Sequence, residues 1–297
     1  MTDTDQKMNK FVDFWPGFEE EDHMIRRVFA HAPRRLTVLG PFRQGNRSPR
    51  RFERESKLRR LLRGNKKADF FVTGENVPPQ FSRAHKQIGF WRSFPNRADV
   101  LRFPYWKWYL DWPEIDDLPP CPRFGERMSI DRLMQPIEES YNAQQLARRS
   151  EGAILLSHHL VSPRKRLYQL TNDTIGCLGF GKAFGKEDRS APKISMFQNF
   201  RFSLCPENAI GDGYITEKIP EAFYAGCVPI AWCRPEDLAA DFNPLAVLNL
   251  YGLNDYECLE VLERLRTDHG FYQSFLKEPL LLEKPSLAPL LSFIEAT

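Results

Sequence analysis

The residues of this chain best suited to chemistry lie in one polar loop between two apolar segments. The stretch FRFSLCPENAIGDGYITEKIPEAFYAGCVPIAW, residues 200–232, begins and ends as a buried strand and contains a short helix before the second strand. Its loop gathers amide, carboxylate, phenol and ammonium side chains within a dozen residues: Glu207, Asn208, Asp212, Tyr214, Glu217 and Lys218. This mixture predicts a site for a ligand that carries both phosphate and hydroxyl groups.

Each type of residue in the loop has a place in that chemistry. Gly211 and Gly213 let a backbone approach a ligand closely, and the helix N-terminus together with Lys218 attracts phosphate oxygens. A carboxylate such as Glu217 accepts paired hydrogen bonds from vicinal ribose hydroxyls. From composition alone the alternative, a solvated loop and a helix start capped by Thr216, stays open. The loop matches neither the P-loop pattern nor the dinucleotide pattern G-x-G-x-x-G.

The elements around the loop predict a parallel α/β layer. FRFSLC, a helix that ends before Gly226, and CVPIAW form a βαβ unit, and ligands of such units bind beyond the carboxyl ends of the strands. Further strands are predicted at 10–15, 35–40, 69–74, 86–91 and 152–160.

The segments between these strands indicate where the chain divides. The proline-rich stretch 112–124 predicts a surface loop, residues 129–150 predict a helical stretch, and residues 283–297 predict a terminal helix. We place a domain boundary near 148–152, which gives the domains 1–150 and 151–297.

Composition excludes several classes of protein. Of the 297 residues, 42 Lys and Arg face 39 Asp and Glu, and this near-balance argues against a nucleic-acid-binding protein. The six cysteines include no C-x-x-C pair, so they predict free thiols in a reducing compartment and no zinc site. The first residues lack the pattern of a signal peptide, and no apolar run is long enough to span a bilayer. We therefore expect a cytoplasmic protein.

A basic run at 50–67 carries nine Lys and Arg and, as acids, only Glu53 and Glu55. It predicts an amphipathic helix with a solvated charged face. The alternative is peripheral contact with an anionic membrane at its inner face.

The residue order of the loop also carries a family resemblance. Its pattern is E-N, a short loop, Y-[IV]-T-E-K, a helix, and V-P-[IV], and it resembles the signature segment of the α1,3/4-fucosyltransferases, glycosyltransferase family 10, above all the soluble bacterial members. The resemblance extends into FVTGENVPPQF, QIGFWRSF, VLRFPYW, SPRKRLY and AADFNPLAVLNLYGL, and so covers most of residues 68–280. Pro206 departs from the pattern, because many members carry an aromatic residue there.

The resemblance implies an α/β protein of the GT-B class, with two Rossmann-like domains facing across a cleft. The N-terminal domain would take the acceptor and the C-terminal domain would bind GDP-fucose. By this resemblance Asn208, Tyr214, Glu217 and Lys218 bind the donor, and Arg164 of SPRKRLY contacts its diphosphate. Arg166 lies near enough in sequence to be confused with Arg164.

The implied reaction is the inverting transfer of L-fucose from GDP-β-L-fucose to O3, or alternatively O4, of GlcNAc in an N-acetyllactosamine-type glycan. Arg164 and Lys218 would meet the charge that develops on the departing GDP, so neither a metal nor a cofactor is expected. The acceptor hydroxyl needs a base, and Glu75 matches the glutamate proposed for that role in the resembling bacterial enzymes. Asp99 and Asp111 are alternatives.

Acceptor contacts are predicted at Trp91, Trp106 and Trp108, whose rings offer flat faces to a sugar. Packing at the domain junction is the alternative for this aromatic cluster. Two other functions remain open: a GT-B transferase that uses another nucleotide sugar, and a nucleotide-sugar-binding protein without catalysis.

Overall fold

The computed structural model describes residues 9–15, 18, 23–42, 67–121, 123–147, 149–186 and 191–297. The basic run at 50–67 lies outside these residues, apart from Lys67, and so does the predicted membrane contact. The chain divides into two compact units. The first contains the described residues up to Trp108, together with Pro113–Pro119 and Ser286–Thr297, and the second contains Tyr109–Trp112 and Pro120–Pro285.

The first unit is built on a parallel sheet. Among the described residues its strands follow chain order: β1 (Lys10–Val12), β2 (Thr37–Leu39), β3 (Ala68–Val72), β4 (Ala84–Gly89) and β5 (Val100–Arg102). Helix α1 (Met24–Ala30) precedes β2, and a 3-10 helix (Tyr105–Tyr109) follows β5. In β3 the consecutive residues Phe70 and Phe71 are both fully buried, so this strand is covered on both faces, as expected for a central parallel strand.

The second unit is built on another parallel sheet, preceded by the short pair β6 (Leu110–Asp111) and β7 (Met128–Ser129). Its strands among the described residues are β8 (Ser150–Leu156), β9 (Cys177–Phe180), β10 (Phe200–Pro206), β11 (Val228–Trp232) and β12 (Leu248–Asn249), in the order β12-β11-β10-β8-β9. The described helices that accompany this unit are α2 (Ile130–Leu133), α3 (Ile137–Ser140), α4 (Ala143–Ala147), α5 (Arg164–Ile175), α6 (Lys193–Phe197), α7 (Lys218–Tyr224), α8 (Pro235–Asp241), α9 (Asp255–Thr267) and α10 (His269–Leu276).

The register of the second sheet brings two loops to one edge. Strand β10 pairs with β8 through Ser203 and Ile154, and with β11 through Pro206 and Trp232. Because all three strands are parallel, the segment that leaves β8 toward Arg164 and the loop that leaves β10 at Glu207 emerge at the same carboxyl edge. The predicted βαβ unit from β10 through α7 to β11 is confirmed.

The last helix, α11 (Ala288–Glu295), packs with the first unit. The ammonium of Lys86 on β4 donates to the carbonyls of Phe293 at 2.9 Å and Ala296 at 3.1 Å. The Phe293 ring lies edge-on to Phe70, with centroids 5.9 Å apart. The C-terminal residues are therefore part of the N-terminal unit.

Two local expectations differ from the structure. The helical stretch predicted over 129–150 is three short helices, because Pro136 and the extended residue Tyr141 interrupt it. The second sheet begins at Ser150, close to the predicted boundary, but the second unit begins earlier. The reason is that residues before Ser150 pack against the second unit. For example, the Tyr141 hydroxyl donates to the Tyr224 carbonyl at 3.1 Å.

All six cysteines are buried and none forms a disulfide. Among the described residues, no helix combines the length and the apolar character needed to cross a bilayer.

Candidate active site

A buried carboxylate, Glu207, organises the loop that follows β10. It is 1% exposed. Its Oε1 accepts from the backbone N–H of Thr216 at 2.7 Å and its Oε2 accepts from Lys218 Nζ at 2.7 Å. The Thr216 hydroxyl lies 3.0 Å from Oε1. Thr216 is therefore not the helix cap predicted from the sequence, because its hydroxyl is used by Glu207 and the N-cap position falls on Glu217.

Lys218 is held at the first turn of α7 by this carboxylate. Its ammonium also donates to the Thr216 hydroxyl at 2.5 Å. Burial works to lower the pKa of Lys218, but Glu207 and Glu217 outweigh it and the pKa is raised. Lys218 is thus a fixed cation at neutral pH, with part of its side chain (24%) accessible.

Arg164 is the second cation of this edge. Its Nη1 donates to Ser157 Oγ at 2.7 Å and to the His159 carbonyl at 3.2 Å. Its Nη2 donates to the Asn208 side-chain oxygen and to the Pro206 carbonyl. The guanidinium therefore joins the end of β8 to the end of β10.

Arg164 and Lys218 lie close enough to influence each other. Burial lowers the pKa of Arg164, and the charge of Glu207 and the phenol of Tyr214 partly offset this. Arg164 in turn works to lower the pKa of Lys218, while Glu207 raises it. One buried carboxylate thus acts on two cations, and the pair of cations suits a multiply charged anion such as a diphosphate.

A second ion pair shapes the middle of the loop. Asp237 on α8 is 2% exposed and accepts from the backbone N–H of Gly213 at 3.0 Å and from Arg234 Nε at 2.8 Å. Arg234 also donates to the Gly211 carbonyl at 2.8 Å. Gly213 has φ = 77°, which favours glycine at this turn. The loop is therefore held in its middle by this pair and near its ends by Glu207.

The remaining donor-site residues differ in exposure. Asn208 is exposed, Glu217 is half-buried and Tyr214 is only 3% exposed. Burial would raise the pKa of Glu217, but Lys218 and Lys193 together lower it below its usual value. Glu217 is thus a carboxylate at neutral pH, able to accept hydrogen bonds from hydroxyl groups.

Arg166, two residues from Arg164, points elsewhere. Its guanidinium donates to Asp255 and to the Leu253 carbonyl, at the start of α9. Helical spacing explains this, because residues two apart face different sides of a helix.

Glu75 lies in the first unit, just beyond the carboxyl end of β3. Its backbone N–H donates to the Thr73 hydroxyl at 3.0 Å, and that hydroxyl donates back to the Glu75 carbonyl at 3.1 Å. A Cβ at Gly74 would lie 2.0 Å from the Tyr105 ring, so only glycine lets the turn pack there. The half-buried Glu75 side chain therefore projects from a turn that is fixed by these contacts.

The two alternative bases have different surroundings. Asp99 is bound by Arg97 through contacts of 2.8 and 2.6 Å, and these hydrogen bonds lower the pKa of the Asp99 carboxyl. Asp111 is an exposed residue of the short strand β6.

The structure does not support the acceptor contacts predicted at the three tryptophans. Trp91, Trp106 and Trp108 are 4%, 2% and 1% exposed. The indole N–H of Trp91 donates to the Val77 carbonyl at 2.9 Å, and its ring stacks on Phe71. These rings belong to the core and offer no face to a sugar.

Sequence reasoning did not assign three of the residues that build this site. Glu207 was visible as the acid of the E-N pattern, and Ser157 as the first polar residue after a buried strand. Asp237 lies 24 residues from the loop it binds, and no local pattern connects the two. Within the described part of the chain, no group of three or more His, Cys, Asp or Glu side chains is arranged to hold a metal ion.

Comparison with known proteins finds a family that the second unit resembles. Residues 147–278 match the family described as glycosyltransferase family 10 (fucosyltransferase), C-terminal part. An α-(1,3)-fucosyltransferase, FucT, from Helicobacter pylori is 34% identical over 87 residues, which cover 29% of this chain. The chain matches only 18% of the length of that relative. The resemblance predicted from the sequence is confirmed over this C-terminal region.

Solved structures of α1,3-fucosyltransferase resemble the fold. One is 20% identical with a TM-score of 0.67, and covers 99% of this chain and 91% of its own. A second, with GDP, is 21% identical with a TM-score of 0.63 and the same coverage. A third, with GDP-fucose, is 22% identical with a TM-score of 0.57 and covers 77% of each chain. At such identities the likeness concerns the fold, and it confirms the predicted GT-B class.

Proposed function

We propose that this chain, whose residues 147–278 match glycosyltransferase family 10, transfers L-fucose from GDP-β-L-fucose to a hydroxyl of a glycan acceptor. The observation that carries the proposal is the pairing of Arg164 and Lys218 around Glu207 at one sheet edge. These are the positions at which the family resemblance places the diphosphate.

The two cations would act on the leaving group. As the bond between fucose and the diphosphate breaks, negative charge grows on the departing GDP, and a guanidinium and an ammonium stabilise it most where water is scarce. Both are fixed in advance by hydrogen bonds to Ser157, Asn208 and Glu207, so little reorganisation is needed as the bond breaks. Glu217 would accept hydrogen bonds from the ribose.

Glu75 is the proposed general base. It would take the proton of the acceptor hydroxyl while that oxygen attacks the anomeric carbon from the side opposite GDP, which inverts the configuration. Its support is the family resemblance and its position after β3 on a rigid turn. Metal-independent transfer is part of the proposal, since Arg164 and Lys218 supply the positive charge.

The acceptor is proposed to be an N-acetyllactosamine-type glycan, substituted at O3 of GlcNAc. The test incubates the protein with GDP-fucose, with and without N-acetyllactosamine, and measures GDP release and the linkage and anomeric configuration of the product. We expect release that depends on the acceptor and an α-linked fucose, with the same rate in EDTA.

Two results would select the alternatives. A thermal shift larger with UDP or ADP than with GDP would indicate a transferase for another nucleotide sugar. Binding of GDP-fucose without release of GDP across a panel of acceptors would indicate a binding protein.

A further inference from the structure

Helix α7 carries a second buried carboxylate, Glu221, one turn beyond the donor-site residues. It is 1% exposed. Its backbone N–H donates to the Glu217 carbonyl at 2.9 Å, so Glu217 and Glu221 are neighbours on one helix face, and Lys218 lies three residues before it. The reaction proposed above gives Glu221 no role.

The two oxygens of Glu221 have different environments. Oε2 accepts from Lys193 Nζ of α6 at 2.8 Å. Oε1 is buried and has no hydrogen-bond partner among the described residues. An ionised carboxylate with one buried oxygen unpaired is costly, and protonation lowers that cost because it removes the buried charge.

Three charged groups act on the pKa of Glu221 from the elements around it, and a neutral thiol lies near them. Burial raises the pKa of Glu221 to about 7, and Glu217 acts in the same direction, while Lys193 and Lys218 oppose it. From the segment after β6, the buried thiol Cys121 lies in the field of Glu221 and stays protonated, because burial raises its pKa to about 11.

The nearby cation of α2 is engaged elsewhere. The guanidinium of Arg132 lies over the Tyr224 ring at 4.1 Å from its centroid. Lys193 is therefore the cation that pairs with Glu221.

Lys193 also acts on the donor site itself. After the effect of burial, Lys218 and then Lys193 are the charges that hold the pKa of Glu217 down. The ammonium of Lys193 is thus shared between Glu221, which it contacts, and Glu217, one turn earlier on α7.

We propose that Lys193 and Glu221 form a positioning pair for donor binding, in which Glu221 takes up a proton from solvent when the diphosphate of the donor binds near Lys218. The inference rests on the proposed function. With Glu221 ionised, the carboxylates Glu207, Glu217 and Glu221 balance the cations Arg164, Lys193 and Lys218. Neutralising Glu221 leaves the site with one excess positive charge. It also removes the countercharge of Lys193, so the Lys193 ammonium interacts more strongly with Glu217. Both changes favour a dianionic ligand.

The experiment measures binding of GDP-fucose by calorimetry at several pH values. GDP-fucose is the probe because its diphosphate is esterified at both ends and does not titrate near neutrality, as the terminal phosphate of GDP does. We expect the wild-type affinity to fall by about three- to tenfold between about pH 6 and about pH 8.5. Titrations at about pH 7.5 in two buffers of different ionisation enthalpy should show uptake of a fraction of one proton.

Glu221→Gln is neutral at every pH, so it should bind with a flat pH profile, take up no proton, and bind more tightly than wild type at about pH 8.5. Lys193→Met should weaken binding at all pH values. Glu260→Gln removes the same charge from an exposed position of α9 and should retain both the wild-type profile and the proton uptake.

A wild type that binds without proton uptake would overturn the inference, and this measurement needs no variant to fold. The wild-type pH profile persisting in Glu221→Gln would overturn it as well. Failure of the wild type to bind GDP-fucose at any pH would instead contradict the proposed function.

Discussion

The Lys218 ammonium lies 2.7 Å from a carboxylate oxygen of Glu207, and the Glu207 side chain is almost completely buried. This pair ties the first turn of α7 to the end of β10 and sets the direction of a cation that the proposed reaction needs.

Replacement of Glu207 by Gln should destabilise the protein. The change keeps an acceptor for Thr216 but leaves the Lys218 ammonium without its countercharge, so the free energy of unfolding should fall by about 1–3 kcal/mol. Urea denaturation measures this. In the double variant with Lys218→Met the loss should be smaller than the sum of the single losses, and simple additivity would contradict the pairing.

Replacement of Ser157 by Ala should reduce the rate of fucosyl transfer by loosening Arg164. The guanidinium loses its 2.7 Å acceptor but keeps Asn208 and the carbonyls. The fall in kcat/KM for GDP-fucose should therefore correspond to a loss of about 1 kcal/mol in transition-state stabilisation. For Arg164→Ala the corresponding loss should be about 2–4 kcal/mol. Ser274→Ala removes an exposed hydroxyl from α10 and serves as the control. Equal losses in the two serine variants would show that Ser157 does not position Arg164.

Replacement of Glu75 by Gln should abolish transfer while leaving the affinity for GDP-fucose within a few-fold of wild type. Gln keeps the shape and the hydrogen-bonding capacity of the side chain but cannot accept the proton of the acceptor. Steady-state kinetics and calorimetry separate the two effects. Wild-type turnover by this variant would remove Glu75 as the base.

Replacement of Gly226 by Ala should destabilise the second unit more than the same change at Gly185. Both glycines have positive φ, 82° and 64°, and share that cost of about 1 kcal/mol. At Gly226 the added Cβ would also lie 2.5 Å from the Tyr141 ring and 2.7 Å from Arg149, whereas at Gly185 it meets nothing within 4 Å. We expect losses of about 3 and about 1 kcal/mol in thermal or urea unfolding. A similar loss at both sites would mean that the helix end at Gly226 relaxes.

The buried Glu221 should make the stability of the protein depend on pH. Its pKa is raised from 4.5 to about 7 in the folded state, so between these values the folded protein binds the proton more tightly than the unfolded chain does. The contribution of Glu221 to the free energy of unfolding is therefore greatest at low pH and is lost as the pH rises through about 7.

Glu221→Gln does not titrate, so its stability should not decline in this way as the pH rises. Between about pH 5 and about pH 8.5 its free energy of unfolding should therefore rise by up to about 3 kcal/mol relative to that of wild type, as measured by urea denaturation. A pH-independent difference between the two proteins would contradict the raised pKa.

Much of the architecture followed from local sequence. Strands β3, β4, β8, β10 and β11 lie where apolar runs predicted them, and Gly226 ends α7 with a positive φ, as predicted. These features depend on periodicity and backbone preference within a few residues. The family pattern likewise pointed to the donor-site residues because they lie in two short segments.

Tertiary structure alone decided how these residues are held. Glu221 pairs with a lysine 28 positions away, and Lys86 binds a carbonyl 207 positions away at the C-terminus. Trp106 and Trp108 have the composition of a sugar-binding surface, but they are core residues because packing, and not residue type, determines which side chains are covered. Local sequence specifies the conformation of each segment. Charge pairing and burial depend on which segments meet, and only the folded chain brings those segments together.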